Sequence, residues 1–196
     1  MRLALFDFDG TITTKDSMVD FIQYAVGKKA YYFGLIVLSP ILVAYKLKLY
    51  PNYKAKERLL AYFFKRMSIK KFQKNVTSYS TNKIDSIVKK EAMERISWHK
   101  KRGDEVVVVS ASMECWLKDW CDRNRLRVIA TKLEIVDGKF TGKFLTKNCY
   151  GEEKVNRLQQ SYCMDDYSYI YAYGDSRGDK ELLAIADKAF YRAFRD

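Results

Sequence analysis

The chain begins with an apolar run, Leu3-Ala4-Leu5-Phe6, that ends abruptly in two acids, Asp7-Phe8-Asp9-Gly10-Thr11. Such a run is the pattern of a strand buried on both faces, as in a parallel sheet covered by helices. Carboxylates at the end of that strand are costly unless they are paired or bind a metal. Side chains two apart on a strand point the same way, so a strand over Leu3–Phe8 predicts that Asp7 and Asp9 share a face at its carboxyl end. Gly10 then lets the chain turn sharply. Open α/β sheets bind ligands at the carboxyl ends of their strands. The plainer alternative is an Asp- and Gly-rich turn with solvated acids.

Four further short apolar runs read as parallel strands: Glu105–Ser110, Arg127–Thr131, Ser168–Tyr173 and Lys188–Tyr191. Helical stretches separate most of them, which predicts an α/β fold with a Rossmann-like, doubly wound parallel sheet. Glu134 to Phe140 carries a hairpin signature, with Asp137-Gly138 suited to the positive dihedrals of a tight turn.

The stretch from Lys15 to Arg102 differs from this pattern. It lacks strand alternation, while Ile69, Phe72 and Val76, then Ile84, Ile87 and Val88, recur at helical spacing. Asp16 is placed to cap its first helix. The expected organisation is a core of 1–14 and 103–196 with a helical cap, 15–102, inserted after the first strand. Charge divides the chain in the same place. The net +12 resolves into +14 in the insert and −2 in the remainder, so the insert is the part that favours anionic partners.

Within the insert, Tyr31 to Tyr45 is apolar except for Gly34, Ser39 and Pro40, with lysines at 28, 29, 46 and 48. A spanning helix needs about 20 apolar residues, and Pro40 interrupts this run. Two short packed helices fit it, and so does a helical hairpin that dips into an anionic membrane surface. The four cysteines (Cys115, Cys121, Cys149, Cys163) have no zinc spacing, and no signal peptide precedes the first strand. A cytoplasmic protein with reduced thiols is the expectation. A single histidine, His99, excludes sites needing two His ligands.

Three more segments place polar groups where strands end or helices begin. Glu105-Val106-Val107-Val108-Val109-Ser110 ends in a hydroxyl followed by Ala111-Ser112, suited to a phosphate oxygen at a helix start or simply to capping. Tyr150-Gly151-Glu152-Glu153-Lys154 puts a lysine in the first turn of a helix, unfavourable there unless it points at an anion; a surface lysine is the alternative. Tyr173-Gly174-Asp175-Ser176-Arg177-Gly178-Asp179 ends a strand with two acids four apart, suited to Mg²⁺, although Asp179 also fits as a helix cap.

Together these segments resemble the haloacid dehalogenase superfamily of aspartate-nucleophile phosphatases: DFDGT at 7–11, VVVVSAS at 106–112, the lysine of CYGEEK at 149–154 and GDSRGD at 174–179. The insert's position is similar to that of the phosphoserine-phosphatase-like branch. KNCYGEEKVNRL and the hairpin before it resemble the group that includes phosphatidylglycerophosphatase C. The resemblance implies that Asp7 is the nucleophile and forms an aspartyl-phosphate, with Asp9 as general acid/base. It implies Ser110 and Lys154 as phosphate ligands. It also implies Mg²⁺ held by the Asp7 side chain, the Asp9 backbone carbonyl and Asp175, with Asp179 as a ligand or behind the metal's waters. Relatives that displace halide lack the second acid and need no metal, so Asp9 points to phosphate chemistry. Transfer to another acceptor stays open.

For substrate, the basic insert and its apolar run point to a phosphorylated membrane lipid such as phosphatidylglycerophosphate. A small soluble phosphorylated metabolite is the alternative, and a phosphate- or polyanion-binding module without catalysis is the alternative of another class. Phosphoserine fits less well, because Gly10 stands where those enzymes have Ser and the insert shows no matched acidic and basic pair. No nucleic-acid motif is present and no such partner is expected. The expected location is cytoplasmic, with peripheral contact at the inner membrane face. His99 falls where the subgroup often has a histidine, but is assigned no catalytic role. The place of Arg177, between the two motif acids, stays open.

Overall fold

The computed structural model describes residues 1–194; the last two residues of the expected core segment, 195 and 196, lie outside the described residues. Strands occur as β1 (Arg2–Phe6), β2 (Glu105–Met113), β3 (Arg127–Thr131), β4 (Leu133–Val136), β5 (Lys139–Phe144), β6 (Tyr169–Gly174) and β7 (Lys188–Tyr191). Five of them form one parallel sheet in the order β3-β2-β1-β6-β7, while β4 and β5 pair as an antiparallel hairpin. From β1 the chain steps outward to β2 and β3, then crosses back to β6 and β7. The order therefore reverses at β1, whose carboxyl end is the switch point where a crevice opens.

Helices α1 (Ser17–Val26), α2 (Lys28–Val37), α3 (Ser39–Lys46), α4 (Asn52–Phe64), α5 (Ile69–Asn82) and α6 (Lys90–Lys101) lie between β1 and β2. The sheet is completed by α7 (Glu114–Arg123), α8 (Glu152–Ser161) and α9 (Lys180–Ala184). This is the Rossmann-like α/β architecture expected from the apolar runs. Strand alternation divides the core into two layers. Leu3, Leu5, Val107 and Val109 pack with Leu158 of α8 and Leu182 of α9. Ala4, Phe6, Val106 and Val108 face the other way, into a larger cluster with Trp116, Trp120 and the inserted helices. Each large apolar side chain fully buried there contributes about 1.5–3 kcal/mol.

Two boundaries differ from the sequence reading. β1 stops at Phe6 rather than Phe8, because a turn over Phe8–Ile12 begins at once, with Gly10 at φ +84°. Asp7 keeps one strand-like bond, its N–H donating to the Tyr173 carbonyl at 2.9 Å. β2 runs three residues beyond Ser110, because an irregularity between Ser110 and Met113 lets Met113 pair with Thr131. Ser110 is therefore a strand residue, and the expected helix start comes only at Glu114.

In the insert, the Asp16 carboxylate accepts the Val19 N–H at 3.0 Å and caps α1 as expected. Pro40 does not kink a helix; it opens α3, where its missing N–H has no cost. α2 and α3 leave Tyr32, Phe33, Ile36, Val37 and Val43 exposed, Ile36 by 71%. Among the described residues no single helix is long and apolar enough to cross a membrane.

The β4–β5 hairpin turns at Asp137 (φ +50°) and Gly138 (φ +67°), as the Asp-Gly pair predicts. It packs onto the insert: the Phe140 ring stacks on Phe72, and the Glu57 carboxylate of α4 accepts the Phe144 N–H at 2.9 Å. Gly142 passes so close to α4 that a Cβ would stand 2.4 Å from that of Ala61.

α6 returns the chain to the sheet through His99, which is fully buried. Its Nδ1 lies 2.8 Å from Asp104 Oδ2 and its Nε2 2.9 Å from the Tyr173 hydroxyl. Burial lowers the His99 pKa from 6.5, against the opposing pull of Asp104. A group whose folded pKa is depressed supports the fold above its unfolded pKa and loses that support as pH falls. His99→Leu is expected to cost about 2–3 kcal/mol in urea unfolding at pH 8, because Asp104 and Tyr173 lose a buried partner. The wild type should also lose stability below about pH 6.5 more steeply than the variant does.

Candidate active site

Lys154 is the centre of the site. The first turn of α8 carries it into the core, where it is 1% exposed. Its Nζ donates to Asp7 Oδ1 at 2.5 Å, to Asp179 Oδ1 at 2.7 Å and to the Val109 carbonyl at 2.7 Å. The lysine points at anions, as its position in a first turn requires. Burial alone would lower its pKa, but Asp7 and Asp179 hold it above the usual lysine value.

Asp179 is a helix cap, as one of its two sequence readings expects. Its Oδ2 accepts the Ser176 N–H and hydroxyl, each at 2.9 Å, and the Asp175 N–H at 3.1 Å, forming a capping box. Its other oxygen takes the Lys154 ammonium. Burial works to raise its pKa, and the ammonium more than offsets this and lowers it. Glycines permit the close fit. A Cβ on Gly174 would stand 2.5 Å from that of Asp179, and one on Gly10 would stand 2.5 Å from Asp175 Oδ2.

Asp7 and Asp9 line the same cavity, but the chain has already left the strand, and the two carboxylates have different partners. Burial raises Asp7 to about 7, against the pull of Lys154. Asp9 is raised to about 6, first by burial and then by the nearby Asp16. Its partners are uncharged. Oδ1 accepts the Ser17 N–H at 2.7 Å, and Oδ2 accepts the Ser112 hydroxyl. With Asp9 ionised the direction of this chain is set from the acid, because a carboxylate only accepts. Trp116 Nε1 can only donate, and it reaches Ser17 Oγ at 3.3 Å. The Ser17 proton then goes to Ser112 Oγ at 2.9 Å, and the Ser112 proton to Asp9.

Asp7, Asp175 and Asp179 each offer a carboxylate oxygen, and these lie within 4.8 Å of one another. Hard divalent cations such as Mg²⁺ or Ca²⁺ suit an all-oxygen donor set. The Asp9 carboxylate is not in that cluster, being held by Ser17 and Ser112. Ser110 is buried at the cavity floor and accepts the Ser112 N–H at 3.0 Å, which leaves its own proton for another acceptor.

The cavity holds about 530 Å³, within the range of small-molecule sites. Its floor is Asp7, Asp9, Ser110, Lys154 and Asp175, and its roof comes from α1 to α4, including Tyr31, Leu35, Leu42, Asn52 and Lys56. Neither His99 nor Arg177 lines it; Arg177 is exposed.

Sequence reasoning missed Ser17 and Trp116 as partners of the Asp9 network, and Asn52 and Lys56 in the roof. Ser112 had a signal, as the second hydroxyl of the VVVVSAS segment. Lys89 also carried no local signal; its Nζ donates to the Gly10 carbonyl at 2.6 Å and steadies the turn.

A parallel sheet with buried acids and a buried lysine gathered at its switch point defines an α/β enzyme. The chain belongs to the haloacid dehalogenase-like hydrolase family, whose profile matches residues 4–184. Within that family its relatives include proteins named as phosphatases. It is 31% identical over 195 residues to protein CicA of Caulobacter vibrioides, covering 98% of this chain and 86% of that protein. It is 24% identical over 210 residues to a histidinol-phosphatase of Neisseria meningitidis, covering 95% and 88% respectively. Its fold is also that of a phosphoserine phosphatase solved as a phospho-aspartyl intermediate analogue. That comparison has a TM-score of 0.69 at 20% identity, covering 96% of this chain and 85% of the other.

Removing the central cation tests the electrostatics directly. Lys154→Met leaves Asp7 and Asp179 buried against each other and should cost about 3–5 kcal/mol at pH 8, measured by denaturant unfolding in EDTA. The deficit should shrink as pH falls toward 5, because the folded state then takes up a proton that relieves the repulsion.

Proposed function

We propose that the protein is a Mg²⁺-dependent phosphomonoester hydrolase working through an aspartyl-phosphate on Asp7. The observation that carries this reading is the pair of carboxylates in one cavity, Asp7 buried and held by an ammonium, Asp9 half-buried and held by neutral donors. The Asp7 carboxylate attacks phosphorus as the bond to the leaving alkoxide breaks. Asp9, protonated at that moment, gives its proton to the alkoxide oxygen. Water then attacks the aspartyl-phosphate, its proton goes to Asp9, and inorganic phosphate leaves. Burial raises both carboxyls, Asp7 above Asp9, the reverse of the order these roles need. A divalent cation bound at Asp7 would lower it, so that Asp7 attacks ionised while Asp9, whose carboxyl has no cation beside it, carries the proton. Ser110 holds a phosphoryl oxygen, and Lys154 meets another by exchanging one of its three present acceptors for it, which spreads the charge that develops there. Asp7, Asp175 and the Asp9 carbonyl, with Asp179 directly or through water, would hold Mg²⁺, which would supply Lewis-acid stabilisation and screen like charges.

In this reading residues 15–102 are the cap over a core of 1–14 and 103–196, although α6 itself packs on the sheet through His99. The substrate is a phosphorylated membrane lipid of the phosphatidylglycerophosphate type, presented at the inner face of the membrane. What supports this is the exposed apolar face of α2 and α3, flanked by Lys28, Lys29, Lys46 and Lys48. Each lysine near an anionic surface contributes about 1 kcal/mol. A small soluble metabolite is the second reading, favoured by the moderate size of the cavity.

With Mg²⁺ and a panel of phospholipid phosphates, sugar phosphates and nucleotides, the wild type should release phosphate. Asp9→Asn should lose about 10²- to 10⁴-fold in kcat, and Asp7→Asn should retain substrate binding without turnover. A wild type inactive across the panel, or an Asp7→Asn variant at full rate, defeats the reading. For the membrane, the protein should co-sediment with anionic vesicles and less with neutral ones, and Ile36→Asp should weaken the binding. Equal, negligible sedimentation with both kinds of vesicle removes the docking.

A further inference from the structure

Asp9 is aimed by its partners rather than by its own backbone. β1 stops at Phe6, so Asp9 stands half-buried in the turn that Gly10 completes. The last torsion of an Asp side chain is broad, and the plane of the carboxyl is therefore fixed by its two bonds. These are the Ser17 N–H on Oδ1 at 2.7 Å and the Ser112 hydroxyl on Oδ2.

The second bond holds its direction only while Ser112 donates. An ionised carboxylate can do nothing but accept, so it draws the Ser112 proton to itself. A protonated carboxyl is different, because it can turn its own proton onto Ser112. The acid of a phosphomonoesterase works in that protonated form, and a proton given to Ser112 is lost to the leaving group.

Trp116 stands against this reversal. Its side chain, Ser17 and Ser112 are all fully buried. The indole N–H, which has no way to accept, reaches Ser17 Oγ at 3.3 Å, and Ser17 Oγ lies 2.9 Å from Ser112 Oγ. A hydroxyl that accepts a hydrogen bond donates more strongly. Ser17 therefore directs its proton to Ser112, and Ser112 directs its own to Asp9. The indole also stacks on Phe21 of α1, with ring centroids 4.6 Å apart and planes at 22°. That stack keeps Ser17, the first residue of the same helix, within reach of the N–H. Trp116 does not line the cavity, so it reaches the chemistry only through the two serines.

We infer that Trp116 is a positioning residue for Asp9: through Ser17 and Ser112 it keeps the carboxyl an acceptor on the serine side and reserves the acid proton for the leaving oxygen. The inference rests on the phosphomonoesterase reading and adds to it a residue remote from the substrate. As the bond from phosphorus to the leaving oxygen breaks and the bond to Asp7 forms, the proton passes from Asp9 to the leaving oxygen.

Trp116→Phe keeps an aromatic ring against Phe21 and deletes the donor. Its kcat/KM, which covers the steps through departure of the leaving group, is measured with Mg²⁺ on p-nitrophenyl, phenyl and butyl phosphate. p-Nitrophenolate departs readily as an anion, phenolate less so and butoxide least, so the acid matters increasingly in that order. The variant should lose at least about ten-fold more on butyl phosphate than on p-nitrophenyl phosphate. Equal losses on the three esters, or no loss on any, overturn the positioning role. The indole N–H signals in NMR spectra read the same chain without turnover. Trp120 is an internal reference, since its Nε1 donates to Asp85 at 2.7 Å. Asp9→Ala should move the Trp116 signal more than those of Trp98 and Trp120. A Trp116 signal that moves no more than theirs overturns the chain. A wild type that hydrolyses none of the esters while that signal moves refutes the phosphatase mechanism and leaves the link from Trp116 to Asp9 standing.

Discussion

The site depends on one ammonium group shared among three acceptors. Lys154 ties the start of α8 to the end of β1, to β2 through Val109, and to the turn after β6 through Asp179. Without it Asp7 and Asp179 would be buried as two like charges with no cation between them. Buried ion pairs are nevertheless poor sources of net stability, because desolvating the ions takes back most of what their attraction supplies. A well-packed apolar set would fold as well. The arrangement is therefore explained by what it prepares, a carboxylate held in the protein interior beside a cavity of about 530 Å³.

Asp9 is the counterpart to this arrangement. It sits two residues from Asp7 yet is held by uncharged groups from three separate segments: the Ser17 amide, the Ser112 hydroxyl, and behind them Trp116. Both of its oxygens accept hydrogen bonds, and both donors belong to elements that also border the cavity roof or floor. The orientation of the proposed acid/base is thus coupled to the seating of α1 on the end of β2. The roof and the chemistry share structural parts, although they lie far apart in the chain.

The parallel sheet was legible because double burial leaves long apolar runs, and because acids at the ends of such runs are tolerated only where a cation or a hydrogen-bond donor meets them. Lys154 was legible for a related reason: a cation at the positive end of a helix calls for an anion. The features that were not legible are set by distant pairing. The extension of β2 past Ser110 depends on its meeting β3 at Thr131, and nothing local marks it. His99 reads as a helix-face residue until Asp104 and Tyr173 are seen against it. The Asp9 network reaches Ser112, 103 positions away, and Trp116 beyond it. The run from Tyr31 to Tyr45 is apolar on all sides, so its pattern does not say which face a neighbour covers. The fold shows that α2 and α3 cover the cavity with one side and leave the other open.

The hairpin of β4 and β5 has a consequence for how the molecule comes apart. It leaves the sheet layer and clasps α4 by a main-chain N–H, a stacked aromatic pair and a glycine in contact with an alanine. These contacts join segments more than 65 residues apart, as Phe72–Phe140 and Glu57–Phe144 show. Loss of either partner segment exposes apolar surface on the other. The inserted helices and the parallel sheet are therefore expected to melt as one cooperative unit, in a single transition rather than as a detachable lid and a persistent base. Heat or denaturant that dismantles the roof dismantles the nucleophile's surroundings with it.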